Sequence, residues 1–134
     1  METINLQVGN WVDIAMEGYN NPTQISEVGS FYVKAVEDNK DYGWVVVKPI
    51  ILTKEMLLKN GYGVEHEGTE MESLISEDRR ITLNANELFL NSYNTWYVHI
   101  DNEDMETIGT CELTYVHQFQ NFLNLLGVDN NFKL

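Results

Sequence analysis

The stretch from Thr95 to Gly127, TWYVHIDNEDMETIGTCELTYVHQFQNFLNLLG, changes its hydrophobic period once, and that change decides the fold class. In its first part Trp96, Val98 and Ile100 fall on one face and Tyr97, His99 and Asp101 on the other, the period of a half-buried strand. The polar turn Asp101-Asn102-Glu103-Asp104 separates it from a second strand-like segment, so 95–101 and 105–113 predict a hairpin. From Thr114 the period becomes helical. Val116, Phe119, Phe122, Leu123 and Leu126 form an apolar stripe over 114–126, wide enough to dock on a sheet, and Gly127 ends it. A sheet packed by a helix that follows it in the chain is an α+β arrangement.

Upstream, Val12, Ile14 and Met16 alternate with Asp13 and Glu17, which predicts a strand over 11–17 ended by the turn Gly18-Tyr19-Asn20-Asn21-Pro22. Further strands are expected at 23–28, 31–36 and 44–48, with the polar loop Glu37 to Gly43 before the last. Four short strands in so few residues suggest a meander curling into a small SH3-like barrel. Pro49 ends the fourth. Thr53 is an N-cap for a short helix from Lys54 to Asn60, with Gly61 as its stop, expected to plug the barrel or to bridge the two halves. Beyond it the pattern returns to strands near 71–76, 80–84 and 86–90. No repeat or linker divides the chain, so 1–134 reads as one domain with a strand-rich lobe, 1–60, and an acidic strand-plus-helix lobe, 61–134.

With 134 residues, 43% of them hydrophobic, the chain can build a core without disulfides or metals. No leader pattern or membrane-length apolar run is present, and a soluble cytoplasmic protein is expected. The single cysteine, Cys111, stands in a strand-like stretch and reads as a small buried, inert residue. Charge is the unusual feature: 21 acids against 8 bases, a net of −13. Residues 1–60 carry eight acids and five bases, whereas 61–134 carry thirteen acids and only Arg79, Arg80 and Lys133. Direct nucleic-acid binding is disfavoured, and any electrostatic role belongs to the second half.

Three segments carry a resemblance: Leu6-Gln7-Val8-Gly9-Asn10-Trp11-Val12, the run Pro49-Ile50-Ile51-Leu52-Thr53-Lys54-Glu55-Met56-Leu57-Leu58-Lys59-Asn60-Gly61-Tyr62, and Tyr115-Val116-His117-Gln118-Phe119-Gln120-Asn121-Phe122-Leu123. Together they resemble an uncharacterised family of small proteins from Bacteroidetes bacteria and their phages and prophages. The region from Gly63 to Asn94 departs most from it. The resemblance implies a phage or mobile-element origin and, for a small acidic protein of that origin, inhibition of host defence. It implies no catalytic residues.

Each candidate site competes with a plainer explanation. Asp101 to Glu112 has acids at relative positions 1, 3 and 12 of a calcium loop, but Met105 and Glu106 stand where a ligand and the turn glycine belong, so a solvated hairpin tip is expected. His66 lies among Glu65, Glu67, Glu70 and Glu72 without a second His or Cys at ligand spacing, which reads as a surface histidine. His99 should face outward beside Tyr97, and His117 reads as a boundary histidine with its polar atoms satisfied. Trp11, Trp44 and Trp96 are expected in the core, a carbohydrate or peptide groove being the alternative. Nucleophile-elbow and phosphate-loop motifs are missing, so no catalytic residue, metal or cofactor is assigned.

What remains is the acidic lobe. On an extended segment Glu65 and Glu67, and likewise Glu70 and Glu72, would display carboxylates in rows about 6.6 Å apart, imitating a nucleic-acid backbone. With Asp101, Glu103, Asp104 and Glu106 they form the candidate partner-binding set. The expected function is non-enzymatic, anti-CRISPR-like inhibition of a nucleic-acid-handling protein, such as a defence nuclease, by occupying its basic surface. The alternatives are a cellular adaptor or structural interaction domain whose acidity serves solubility alone, and, more remotely, a small hydrolase assembled from residues far apart in sequence.

Overall fold

The computed structural model describes residues 6–16, 19–69, 71–85, 95–128 and 131–134. The first lobe contains β1 (Trp11–Met16), β2 (Tyr19–Val28), β3 (Tyr32–Ala35), β4 (Asp41–Gly43), a 3-10 turn (Trp44–Val46) and β5 (Val47–Lys48). These strands form an antiparallel sheet in the order β4-β3-β2-β1-β5. A meander whose fifth strand returns to pair with its first has the curl expected of a small barrel. Among the described residues no ladder joins β4 to β5, so the curl stays open. Alternation holds in β1 and β3, where Val12, Ile14, Val33 and Ala35 are buried while their sequence neighbours are not, and Leu6, Ile25 and Val47 join that core; Met16, expected on the face of Val12 and Ile14, is exposed at the end of β1.

Two further local expectations fail here. Tyr19 to Pro22 belong to β2, with Pro22 opposite Asp13, instead of forming a turn. Proline is tolerated because β3 meets β2 only from Ile25 to Val28, which leaves the Pro22 portion at a sheet edge. The expected strand at 44–48 is a 3-10 turn followed by two strand residues, while part of the polar loop before it is β4. Chain return explains the difference: Val47 must reach Ile14 on the far edge, and a straight strand from Gly43 would not bring it there.

The second lobe contains α1 (Lys54–Lys59), β6 (Gly63–Glu65), β7 (Ser73–Ile75), β8 (Ile81–Ala85), β9 (Trp96–Asp101), β10 (Thr107–Leu113) and α2 (Val116–Leu125). Its sheet is an antiparallel meander, β10-β9-β8-β7-β6. The expected hairpin forms, with Trp96, Val98 and Ile100 buried. β6 precedes the first strand expected in this half, at 71–76, and the expected strand at 86–90 lies outside the described residues. Thr53 caps α1 by accepting from the Met56 amide, and Gly61 follows it with φ +89°. Leu57 of α1 is buried with Ile50 and Leu52 in the second core, so by packing the changeover between cores falls at Pro49. Among the described residues no helix is long and apolar enough to cross a membrane.

α2 joins the lobes. Its stripe buries Val116, Phe119 and Leu123, with Phe122 and Leu126 partly buried, and the helix packs on β10 and meets β1. Its N-terminus is closed by Gln118, whose Oε1 accepts from the Thr114 and Tyr115 amides. One turn on, Gln120 is buried beside the start of β1, where its Oε1 accepts from the Trp11 amide at 2.9 Å and its Nε2 donates to the Gly9 carbonyl at 3.1 Å. Asn10 Nδ2 donates to Asn121 Oδ1, and the Trp11 indole donates to the Phe132 carbonyl. The opening and closing segments that carry the resemblance are thus the two halves of one inter-lobe clamp.

Gln120→Leu keeps the bulk but orphans the Trp11 N–H, while the Gly9 carbonyl keeps the bond it accepts from Gln24 Nε2. A buried orphan costs about 1 to 3 kcal/mol, so the variant should unfold at lower urea concentration. An unchanged midpoint would show that this amide does not hold the lobes.

Candidate functional site

Glu65 and Glu67 do not form a row, and the expected row of Glu70 and Glu72 lies partly outside the described residues. β6 stops at Glu65, and His66 has φ +55°, which turns the chain so that Glu65 and Glu67 do not follow one another along a strand. Thr69 closes this turn by donating both its amide and its hydroxyl to the His66 carbonyl. Glu65 is paired with Arg79 at 2.6 Å. Glu72 accepts from the Gly68 amide and from Lys54 at 3.2 Å, and these contacts, the Gly68 amide first, hold its carboxyl below the usual range. Glu67 is exposed, and Glu70 lies outside the described residues. Among the described residues, Glu65 and Glu72 are paired with cations and the chain bends at His66, so this stretch is a poor imitation of a phosphate backbone.

Strand direction separates the nominated acids into two places. In an antiparallel meander, consecutive turns project from opposite ends. The 66–72 turn between β6 and β7 therefore leaves one end of the sheet, whereas 76–80, between β7 and β8, and 102–106, between β9 and β10, leave the other. Asp101, Glu103, Asp104 and Glu106 come together at that second end. Glu77 and Asp78 join them, and the sequence reading missed these two because only strand pairing places their turn beside the tip.

Both turns are rigidly built. Asn102 Oδ1 accepts from the Asp104 and Glu106 amides at 2.9 Å each, Asn102 N donates to the Glu106 carbonyl, and Met105 has φ +62°. In the other turn Asp78 accepts from Ser76 Oγ and from the Arg80 amide, and these bonds, the Ser76 hydroxyl first, hold its carboxyl below the usual range. Of the nearby cations, Arg79 reaches Glu65, while Arg80 stays at this end, donating to the Asp101 carbonyl at 2.9 Å with its charge beside Asp78. Asp101 is tied to His99 Nε2 at 2.6 Å and to Thr107. Among the described residues no ion pair involves Glu77, Glu103, Asp104 or Glu106.

The remaining candidates resolve on geometry. The hairpin register sets Asp101 opposite Thr107 and Glu112 opposite Tyr97, so the ends of the calcium-like segment do not converge. Among the described residues no group of three His, Cys, Asp or Glu side chains is placed to hold a metal. Cys111 is partly buried, and burial followed by the charge of Glu112 pushes its thiol pKa up. Trp96 is buried and donates to the Leu52 carbonyl, Trp11 packs on the second core, and Trp44 sits on the 3-10 turn against the first core. The three indoles therefore line no common groove. His99 faces outward beside Tyr97 as expected, but His117 is buried, and its Nδ1 has no hydrogen-bond partner among the described residues. Compared with protein-family models, curated proteins and solved structures, the chain matched no family, no curated protein and no solved structure.

Proposed function

We propose that this is a non-enzymatic acidic binding protein of phage or mobile-element origin, which inhibits a nucleic-acid-handling host protein by seating one end of its second sheet on a basic surface. One observation carries the reading: two adjacent, internally braced turns place Glu77, Asp78, Asp101, Glu103, Asp104 and Glu106 at one end, where Arg79 is paired with Glu65 and Arg80 is the cation left among them. Braced turns keep the ordering cost of binding low, and an end in which acids outnumber cations steers a basic partner toward it.

Immobilised protein should capture nucleic-acid-binding proteins from host lysate at low salt and release them as salt rises, because exposed charges are screened over roughly 8 Å at physiological ionic strength. Combined Glu103→Lys, Asp104→Lys and Glu106→Lys should abolish capture, whereas Glu55→Lys with Glu67→Lys should leave it. Both variants are first matched to wild type in melting. Capture that survives the first set at every salt concentration would overturn the reading.

A second reading, a cellular adaptor domain whose acidity serves solubility alone, is favoured by a different observation. Phe31 and Val45 are 84% and 81% exposed, on turns that the Trp44 indole links by donating to the Ser30 carbonyl. Capture that is insensitive to salt and lost on Phe31→Ser would favour it.

A further inference from the structure

The first lobe contains a cleft of about 100 Å³ at the open side of its curled sheet, far from the acidic turns in sequence. Its floor is apolar: Ile14 and Ala35 are buried there, and so is Thr23, whose hydroxyl is occupied by the Gln24 carbonyl and the Glu37 amide. Its rim is polar and acidic, with Asn21, Glu37, Asp38 and Tyr42. The Tyr42 hydroxyl donates to one Asp38 oxygen and the Lys40 amide to the other. Of the neighbouring cations, Lys34 is paired with Asp41 at 3.3 Å, and Lys40 follows Asp38 by two residues.

We propose that this cleft is a socket for a lysine side chain presented by a protein partner. An apolar floor under an acidic rim suits a ligand that is itself aliphatic along its length and cationic at its tip, which is the anatomy of lysine. Size agrees, since cofactor- and drug-sized pockets begin at roughly 300 Å³ and this one takes only a short chain. Arginine fits less well. Both Asp38 oxygens already accept hydrogen bonds, so its bulkier planar fork would have Glu37 alone to take bidentately, whereas a compact ammonium can draw on Glu37, the Asn21 carbonyl oxygen and one lone pair of Asp38 together. The inference rests on the reading of a basic partner and adds a second, side-chain-specific contact on the other lobe.

The test is a two-dimensional amide NMR titration of the full chain with Nα-acetyl-lysine N-methylamide, alongside the norleucine and arginine analogues. Saturable shifts are expected at Asn21, Thr23, Ala35, Glu37, Asp38 and Tyr42, with a dissociation constant on the order of millimolar, as suits one side chain. Norleucine should give none, and arginine should bind more weakly. Glu37→Gln, at an exposed position, should weaken lysine binding about two- to fivefold, the size of one exposed charge contact. Absent shifts, equal shifts with norleucine or arginine, or shifts spread over the second-lobe carboxylates would each overturn the socket. The probe contains no nucleic-acid-handling protein, so its failure leaves the acidic-turn reading standing. Capture that survives the turn reversal would remove that reading and leave the socket's shifts unaffected.

Discussion

Phe119→Ala is expected to lower the unfolding free energy by about 3 to 5 kcal/mol, the cost of emptying a fully buried aromatic site that cannot collapse. Phe119 has no exposed surface, and its ring is edge-on to Tyr62 at 6.3 Å and to Phe132 at 5.9 Å. Those partners come from the end of α1 and from the last residues of the chain, so the ring ties three distant segments into one core. Loss of it also removes two edge-to-face contacts, each about 0.5 to 1.5 kcal/mol beyond area burial. A domain of this size has ~5 to 15 kcal/mol in total, so the variant should melt far below wild type or fail to fold. Phe119→Leu, which keeps most of the volume, should retain a cooperative transition. Urea unfolding followed by circular dichroism reads both, and a wild-type midpoint for Phe119→Ala would show that α2 does not pack as described.

That core was legible because its signals are local. The stripe of α2, the alternation of β9, the Thr53 cap and the Gly61 stop each depend on residues within a few positions of one another. What the sequence hid depends on pairing across the chain. Trp44-Val45-Val46-Val47 reads as a strand by composition, yet Val45 is largely exposed and Val47 fully buried, because the return to β1 bends the chain between them. Pro22 reads as a turn residue until β3 is seen to leave that part of β2 paired with β1 alone.

The acidic site divides in the same way. Charge imbalance located it in the second half, but a row of Glu65 and Glu67 presupposes an extended backbone, and left-handed His66 between them breaks that premise. Bringing Glu77 and Asp78 next to the 101–106 tip requires the order β10-β9-β8-β7, which no local pattern encodes. The polar residues of the resemblance segments hid their role for a similar reason: Gln120 and Asn10 look like surface amides until the lobes meet over them.

His117 should make the protein lose stability as pH falls from 6.5 to 4. The side chain is only 4% exposed, it stacks on Tyr115 at 5.9 Å with planes 14° apart, and its Nδ1 lacks a hydrogen-bond partner among the described residues. An imidazolium there would be a buried cation with an unsatisfied N–H, so burial pushes the pKa down to about 4. The unfolded chain, with an ordinary histidine near 6.5, binds the proton first as pH drops. Stability from this group is therefore complete above pH 6.5 and declines through the window down to pH 4, by about 3 kcal/mol at 1.36 kcal/mol per pH unit. The carboxylates whose pKa is held low, Asp38, Asp78 and Glu72, act in the same direction from the lower part of this window downward, because the unfolded chain begins to protonate them near its ordinary carboxylate values. His117→Leu replaces the ring with an apolar side chain and removes the titration, so the difference in unfolding free energy between wild type and variant should shift by about 3 kcal/mol between pH 7 and pH 4. A ring-proton NMR titration of His117 checks the cause directly. A midpoint near 6.5, or an equal pH response in the two proteins, would mean that the imidazole reaches water and is not held neutral by the fold.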